Sequence, residues 1–562
     1  MVTNMIDYLR YALYAMAIAL GLLLYQAWDK DHPQAAITSP TVTETANNYV
    51  PSSVPTQTTA SGVTAPAATQ AAPVTNSSGH IIHVVTDVLD VDIDTLGGNI
   101  TQVNLAKYPE NLDSNAPYLL LNDNPNSRYI AQSGLLSSVG PDKSAGQAVY
   151  QADQTSYTMS PDQKTVTANL VWQNTAGIKV TKSFTFTRGS YAVDLSYQVN
   201  NQSSVAWDGN MYLQLLRTNT PPVTGSKGLF NLPTFFGAAV YDTAQKHFQK
   251  IQFKNMVKEN LNQPITGGWA AMVQHYFVSA WIPEQTVQSN YFTRVTQDGL
   301  YTVGSIGPKV VVNPGNTANF SAKFYAGPSS KEQMENVATG LPLTIDYGVF
   351  WIIAVTLFWM MQQIHSVVGN WGWSIVLVTL AVKLVFYHLS AKSYRSMSIM
   401  KKLQPRINSL KERFGDDKQK FTQATLELYR KEKVNPMSGC LPVLVQIPVF
   451  IGLYWVLIES VQLRQAPFIL WIHDLSQKDP YYILPLLMGL SMFLQQRLNP
   501  PPPDPMQAKL MMFMPVIFTV LFLNFPAGLM LYWCVNNSLS FLQQWFIMHG
   551  LDKAEKAKVK KS

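Results

Sequence analysis

Lys383 stands near the middle of the apolar run WGWSIVLVTLAVKLVFYHL, residues 371–389, and a dense basic segment follows directly. A cation at the centre of a membrane helix costs about 3 kcal/mol on insertion scales, so it turns toward a protein interior or a wet cavity and marks a functional site by default. Positions four apart share one face of a helix, which sets Thr379 and Tyr387 beside Lys383 and brings Ser390 one turn further on. A polar stripe on an otherwise apolar helix points to a hydrophilic recess. Snorkelling is the plainer alternative. Lys383 precedes Lys392 by nine residues, about 13 Å at helical rise, and a lysine stem covers only part of that distance.

Other polar residues interrupt apolar runs downstream: Gln446, Gln495, Gln496, Thr519, Tyr532, Asn536 and Asn537. With Lys383 they point to a shared hydrophilic cavity, against the alternative of scattered interhelical contacts. Methionines recur beside them, suited either to an adaptable apolar surface or to gap filling. Enzymatic patterns are missing. There is no GxxxxGK[ST] loop, no HExxH, no GxSxG and no acidic cluster, so neither an enzyme nor a cofactor or metal is expected. His80, His83, His247 and His275 have no metal-ligand spacing and read as structural. Cys440 and Cys534 both sit in apolar runs, which argues against a disulfide framework.

The elements that must position these residues divide the 562-residue chain in two. Residues 1–28 read as an N-terminal transmembrane anchor, with a cleaved signal as the alternative, and 29–79 as a disordered Thr/Ala/Pro/Ser-rich tether. From 80 to 330 period-two alternation, as in KVTKSFTFTRGSYAVDLSYQVNN, predicts a large antiparallel β-sandwich. Apolar runs then predict a membrane-parallel helix at 343–369 and spans at 371–391, 436–460, 481–498, 509–524 and 525–548. A cytoplasmic loop occupies 499–508 and a basic tail 549–562. The fifth span is short for a bilayer and would thin it locally.

Between the second and third spans, residues 392–435 hold twelve Lys/Arg against five acidic residues, which alone matches the whole chain's net charge of +7. Basic loops stay cytoplasmic, and this rule places both termini inside, residues 29–370 mainly outside, and 343–369 on the outer surface. Met397, Met400, Leu403, Ile407, Leu410 and Phe414, then Phe421, Ala424 and Leu428 after Gly415-Asp416-Asp417, predict a helical hairpin. Its basic face serves topology and anionic lipid, or docks ribosomal RNA or targeting factors.

The runs NPMSGCLPVLVQIPVFIGLYWVL, GNWGWSIVLVTLAVKLVFYHLSAKSYRSM, LRQAPFILWIHDLSQKDPYYILPLLMG, DPMQAKLMMFMPVIFTVLFLNFPAGLMLYW and QHYFVSAWIP resemble the YidC/Oxa/Alb family of membrane protein insertases. The likeness covers essentially the whole chain and is densest from 341 to 549. It implies a multi-pass α-helical membrane protein of the bacterial inner membrane, with six spans, a five-helix insertase core and a periplasmic antiparallel β-supersandwich. The implied activity is that of an insertase and chaperone that inserts, folds and helps assemble integral inner-membrane proteins, alone or with the Sec translocon. Implied partners are nascent membrane proteins, the Sec translocon, the phospholipid bilayer, and the ribosome and signal-recognition targeting factors through the hairpin and tail; DNA is not among them. Carried onto this chain, the family's positively charged substrate groove falls on Lys383 with Thr379, Tyr387, Gln446, Tyr532, Asn536 and, opposite the lysine, Trp533. The client slide falls on Cys440, Leu444, Ile447 and Phe450 of the third span and Met514 and Phe518 of the fifth. The docking hairpin presents Lys401, Lys402, Arg406, Asp416 and Asp417. Three positions depart from the family pattern: Lys383 replaces its usual arginine, Trp533 its common tyrosine, and His388 a usual proline, which predicts a straighter lower helix.

Overall fold

The computed structural model describes residues 79–143, 146–221, 234–296, 298–414, 417–432, 434, 441–499 and 505–559. The expected anchor at 1–28, nearly all of the tether, Cys440 and Asp416 lie outside the described residues.

Alternation in sequence becomes alternation in burial. The strands Ile178–Thr187 and Ala192–Asn201 bury every second side chain, and they pair antiparallel with each other and then with Thr317–Pro328. Among the described residues the strands form an eleven-stranded and a nine-stranded sheet. The two close face to face over one core that includes Trp207, Trp269 and Trp281, none more than 1% exposed. The central strands Tyr129–Leu136 and Phe277–Pro283 are buried on nearly every residue. Ile81–Val85 departs from the antiparallel rule, pairing parallel with Ser156–Thr158.

The helical half follows. We label its helices α1 (Trp351–Val368), α2 (Trp371–Val385), α3 (Tyr387–Phe414), α4 (Lys418–Lys431), α5 (Leu441–Glu459), α6 (Ile483–Leu498), α7 (Pro505–Leu521) and α8 (Ala527–Val559). Helix α1 buries Ala354, Leu357, Phe358 and Met361, a three-and-four spacing that turns one stripe inward, and it packs on α2 and α5. Its other face exposes Trp351, Ile352, Val355 and Trp359. By length and composition α1 could itself cross a membrane, and the bent pair α2/α3 could form one further span; the apolar stretches Leu444–Glu459, Ile483–Leu498 and Ala508–Asn524 are shorter.

Two expectations are corrected here. The helix carrying Lys383 stops at Val385, and α3 leaves it at 68°. Phe386 at the joint has φ −91° and ψ 11°, so the bend needs no proline and His388 does not straighten it. Helix α7 begins at Pro505, four residues before the expected start, and spans 17 residues, about 26 Å at helical rise.

Helix α7 exposes Leu510, Met512, Phe513, Val516, Ile517 and Val520 and packs chiefly on α6. The two helices come close at Gly489, where a Cβ would lie 2.0 Å from Thr519 Oγ1. Small residues let membrane helices approach in this way. Gly489→Leu is expected to cost about 1–3 kcal/mol by overpacking and to free α7 first, read as a lower melting temperature with α7 more open to proteolysis than α5.

Candidate functional site

Helix α2 starts on Asn370, whose side chain accepts from the Trp373 amide at 3.1 Å in an N-cap. Three turns on, the face that buries Ile375 and Thr379 also carries Lys383 inward. Lys383 is 8% exposed, and its Nζ donates to Ser540 Oγ of α8 at 2.6 Å. The side chain therefore turns into the bundle and does not snorkel. Ser540 in turn donates to the Asn536 carbonyl at 2.7 Å, and the Tyr394 hydroxyl also hydrogen-bonds Ser540. Asn536 Nδ2 donates to Gln446 Oε1 of α5 at 3.4 Å. Polar atoms of α2, α3, α5 and α8 thus converge on one cluster around Lys383. An ammonium has three donors. Ser540 is the one acceptor found for Lys383 among the described residues, and no carboxylate lies within 4 Å of it there.

The expected groove residues separate into two levels. Lys383, Asn536 and Gln446 share the cluster, whereas Thr379 spends its hydroxyl on the Ile375 carbonyl of its own helix at 2.6 Å. Tyr387 is exposed past the bend, with its carbonyl accepting from Gln543 at 3.3 Å. Trp533 does not stand opposite Lys383 Nζ. It lies seven residues before Ser540 on α8, about 10 Å along the axis, with Phe450 and Phe522 at ring-centroid distances of 4.4 and 4.7 Å. Phe518, Phe525, Tyr454 and the buried Tyr532 complete an aromatic layer there. Sequence reasoning missed Ser540 and Tyr394. The signal available for Ser540 was its place four residues after Asn536, hence on the same helical face.

Of the expected slide residues, Leu444, Ile447 and Met514 are exposed, and Phe450 and Phe518 belong to the aromatic layer. The hairpin closes as its periodicity requires. Met400, Leu403 and Ile407 of α3 pack with Phe421 and Leu428 of α4. Two of its expected docking residues have structural duties: Arg406 pairs with Glu432 at 2.7 Å, and Asp417 caps α4 by accepting from the Lys420 amide at 3.1 Å. Lys401 is exposed. Lys402 also lies on α3.

Among the described residues a β-rich domain is followed by an apolar helical bundle in which Lys383 turns inward among amides and hydroxyls. Two family descriptions match the chain, "YidC periplasmic domain" over residues 81–360 and "60Kd inner membrane protein" over 363–555. The membrane protein insertase YidC of Pseudomonas putida KT2440 is 45% identical over 98% of this chain and 99% of its own, and that of Legionella pneumophila Corby is 44% identical over the same shares. A solved structure described as an active YidC insertase with its first transmembrane domain resolved covers 83% of this chain and 94% of its own, at 17% identity and a TM-score of 0.37. The chain belongs to the YidC family of membrane protein insertases, which are not enzymes. It is an inner-membrane protein with a large periplasmic β-rich domain and a helical C-terminal region.

Proposed function

We propose that the recess at Lys383 is a hydrophilic groove, open toward the cytoplasm, that draws the polar or acidic segment of a client partway across the bilayer. The observation that carries this reading is a buried ammonium with a single hydroxyl partner among the described residues. Its remaining donors answer a client carboxylate, and in a low-dielectric recess that attraction exceeds what water would allow. The client's apolar segment slides past Leu444, Ile447 and Met514, while the aromatic layer around Trp533 bounds the groove on its outer side. Six spans with both termini cytoplasmic satisfy the charge rule, with α1 along the outer surface. Helices α6 and α7, at 16 and 17 residues, fall short of the roughly 30 Å hydrocarbon core, so the bilayer thins beside them. The exposed basic side chains of the hairpin and the tail dock the ribosome and targeting factors, and the Sec translocon cooperates for part of the client set.

Photocrosslinkers at Leu444, Ile447 and Met514 test the path. Each should capture a ribosome-stalled nascent membrane segment, while a crosslinker at the exposed outer-face residue Val367 should not. Equal capture at all four positions would sink the slide.

A further inference from the structure

The segment 460–480, between α5 and α6, is fastened on two sides. On one side it caps α8. The first amides of a helix have no partner within the helix, and here Ala527 N–H donates to the Gln477 carbonyl at 2.7 Å and Gly528 N–H to the Leu475 carbonyl at 2.9 Å. The fit at Gly528 is tight, since a Cβ there would meet Leu457 at 2.9 Å, the Leu475 carbonyl at 3.1 Å and Ile375 at 3.2 Å. Asp479, wholly buried, accepts from Trp471 Nε1 at 3.0 Å and from the Leu484 amide at 2.7 Å, tying the segment to the start of α6.

On the other side the β-domain holds it. Arg464 Nη2 donates to the carbonyls of Pro109 at 2.8 Å and Glu110 at 2.9 Å, and its guanidinium lies 5.5 Å from the Tyr118 ring centroid and 5.9 Å from that of Phe277. Gln465 adds a bond to the Pro109 carbonyl at 3.3 Å. His275, on the turn between Trp269–Gln274 and Phe277–Pro283, reaches the Ile458 carbonyl near the end of α5, with its Nε2 at 2.7 Å. Tyr276 beside it hydrogen-bonds Ser476, and Val461 is built into the β-domain core.

We infer that Arg464 and His275 are positioning residues that clamp the 460–480 segment between the β-domain and the head of α8, so that the β-domain sets how firmly the outer end of the bundle is closed. The consequence for client handling rests on the groove reading; the clamp itself does not.

The clamp carries a pH dependence. A carbonyl accepts from His275, so Nε2 carries a proton, and burial of the ring favours its neutral form. The charged and titratable groups facing the junction include Arg464 and Asp474 of the segment, Glu459 of α5, Glu110, Tyr108, Tyr118 and Tyr276 of the β-domain, and Glu332 and Tyr347 after it. Burial, reinforced by Arg464, holds the His275 pKa at about 4 against an ordinary 6.5. The clamped state therefore prefers neutral His275. Its advantage is complete above pH 6.5 and is lost as pH falls from 6.5 toward 4, by about twentyfold between pH 7 and pH 5.

Hydrogen exchange of the full chain in nanodiscs reads the clamp at the Ala527 and Gly528 amides, after correction for intrinsic rates. Arg464→Leu should speed their exchange at least tenfold, and Arg464→Lys should recover part of the loss, with the strand Ala192–Asn201 unaffected in both. The parent should show the twentyfold rise on acidification, whereas His275→Gln, which keeps a donor and cannot titrate, should stay flat. Unchanged exchange in Arg464→Leu overturns the clamp, and a parental pH profile in His275→Gln overturns its pH dependence. Tyr532→Cys, in a chain with Cys440→Ser and Cys534→Ser, separates the two readings. An impermeant maleimide should reach it from inverted vesicles and, in Arg464→Leu only, from spheroplasts. Absence of labelling from inverted vesicles counts against the groove, and the clamp then stands or falls on hydrogen exchange alone.

Discussion

Replacing Lys383 by glutamate should abolish growth in a strain depleted of its own insertase, while Lys383→Arg should support it. Lys383→Ala should lower insertion of a client with an acidic translocated segment by at least tenfold. The ordering follows from what the recess offers. Ser540, Asn536, Gln446 and Tyr394 supply neutral dipoles, and among the described residues the lysine supplies the only charge placed with them. Arginine keeps that charge with a wider fork of donors. Alanine leaves hydroxyls and amides that hydrate the site without attracting an anion, and on the proposed groove reading glutamate repels an acidic client segment. The effect should grade with client charge: a client with a neutral translocated segment should lose less in Lys383→Ala than an acidic one, because it has no opposite charge for the ammonium to attract. Equal insertion of acidic clients by the parent, Lys383→Ala and Lys383→Glu would falsify the charge role.

The anomaly at Lys383 was legible because an ionisable side chain within an apolar run has few places to go. Its partner was not. Ser540 lies 157 residues away, and its place on the face of Asn536 does not pair it with Lys383 until the axial level at which the two helices meet is known. The same gap displaced Trp533: periodicity assigns it to the inner face of α8, but not to the level of Phe450 instead of that of Lys383. The hairpin seam from Met397 to Leu428 was readable because both partners belong to one local repeat. The 68° turn at Phe386 was not readable, because no proline or glycine marks it and the packing of α3 on α5 and α8 decides it. Strand parity held information that went unused. In Ile178–Thr187 the inward positions Val180, Lys182 and Phe184 run in register, so alternation alone sends Lys182 into the core. The junction through Arg464 and His275 joins residues 354 and 183 positions from their partners, beyond any local pattern.

Lys182→Met should destabilise the β-domain by about 3–5 kcal/mol, the cost of leaving three buried carbonyls and the buried Asp142 carboxylate without their cation. Lys182 is 0% exposed. Its three donors are all spent, on the carbonyls of Gly97 at 2.9 Å, Gly98 at 2.7 Å and Ser133 at 2.9 Å. It springs from the nine-stranded sheet, and the strand bearing Ser133 belongs to the eleven-stranded sheet, so one ammonium ties the two layers together. Its counter-charge is Asp142, also 0% exposed, which accepts from the Leu135 amide at 3.0 Å and the Ala148 amide at 3.2 Å. Burial pushes the Lys182 pKa down and that of Asp142 up, and the attraction between the two opposes both shifts. Three carbonyls aimed at Nζ hold the proton on the lysine. Methionine fills a similar volume but leaves those carbonyls unpaired and Asp142 a buried, uncompensated carboxylate. Adding Asp142→Asn removes that charge, so the double variant should lose less than the sum of the two single variants. Against a typical domain stability of about 5–15 kcal/mol the single loss is large. Pulse proteolysis of the full chain across a urea series, followed through the β-domain fragment, should show it as a lower midpoint for Lys182→Met and partial recovery in the pair. A strictly additive double variant would mean that Lys182 and Asp142 stabilise the sandwich independently.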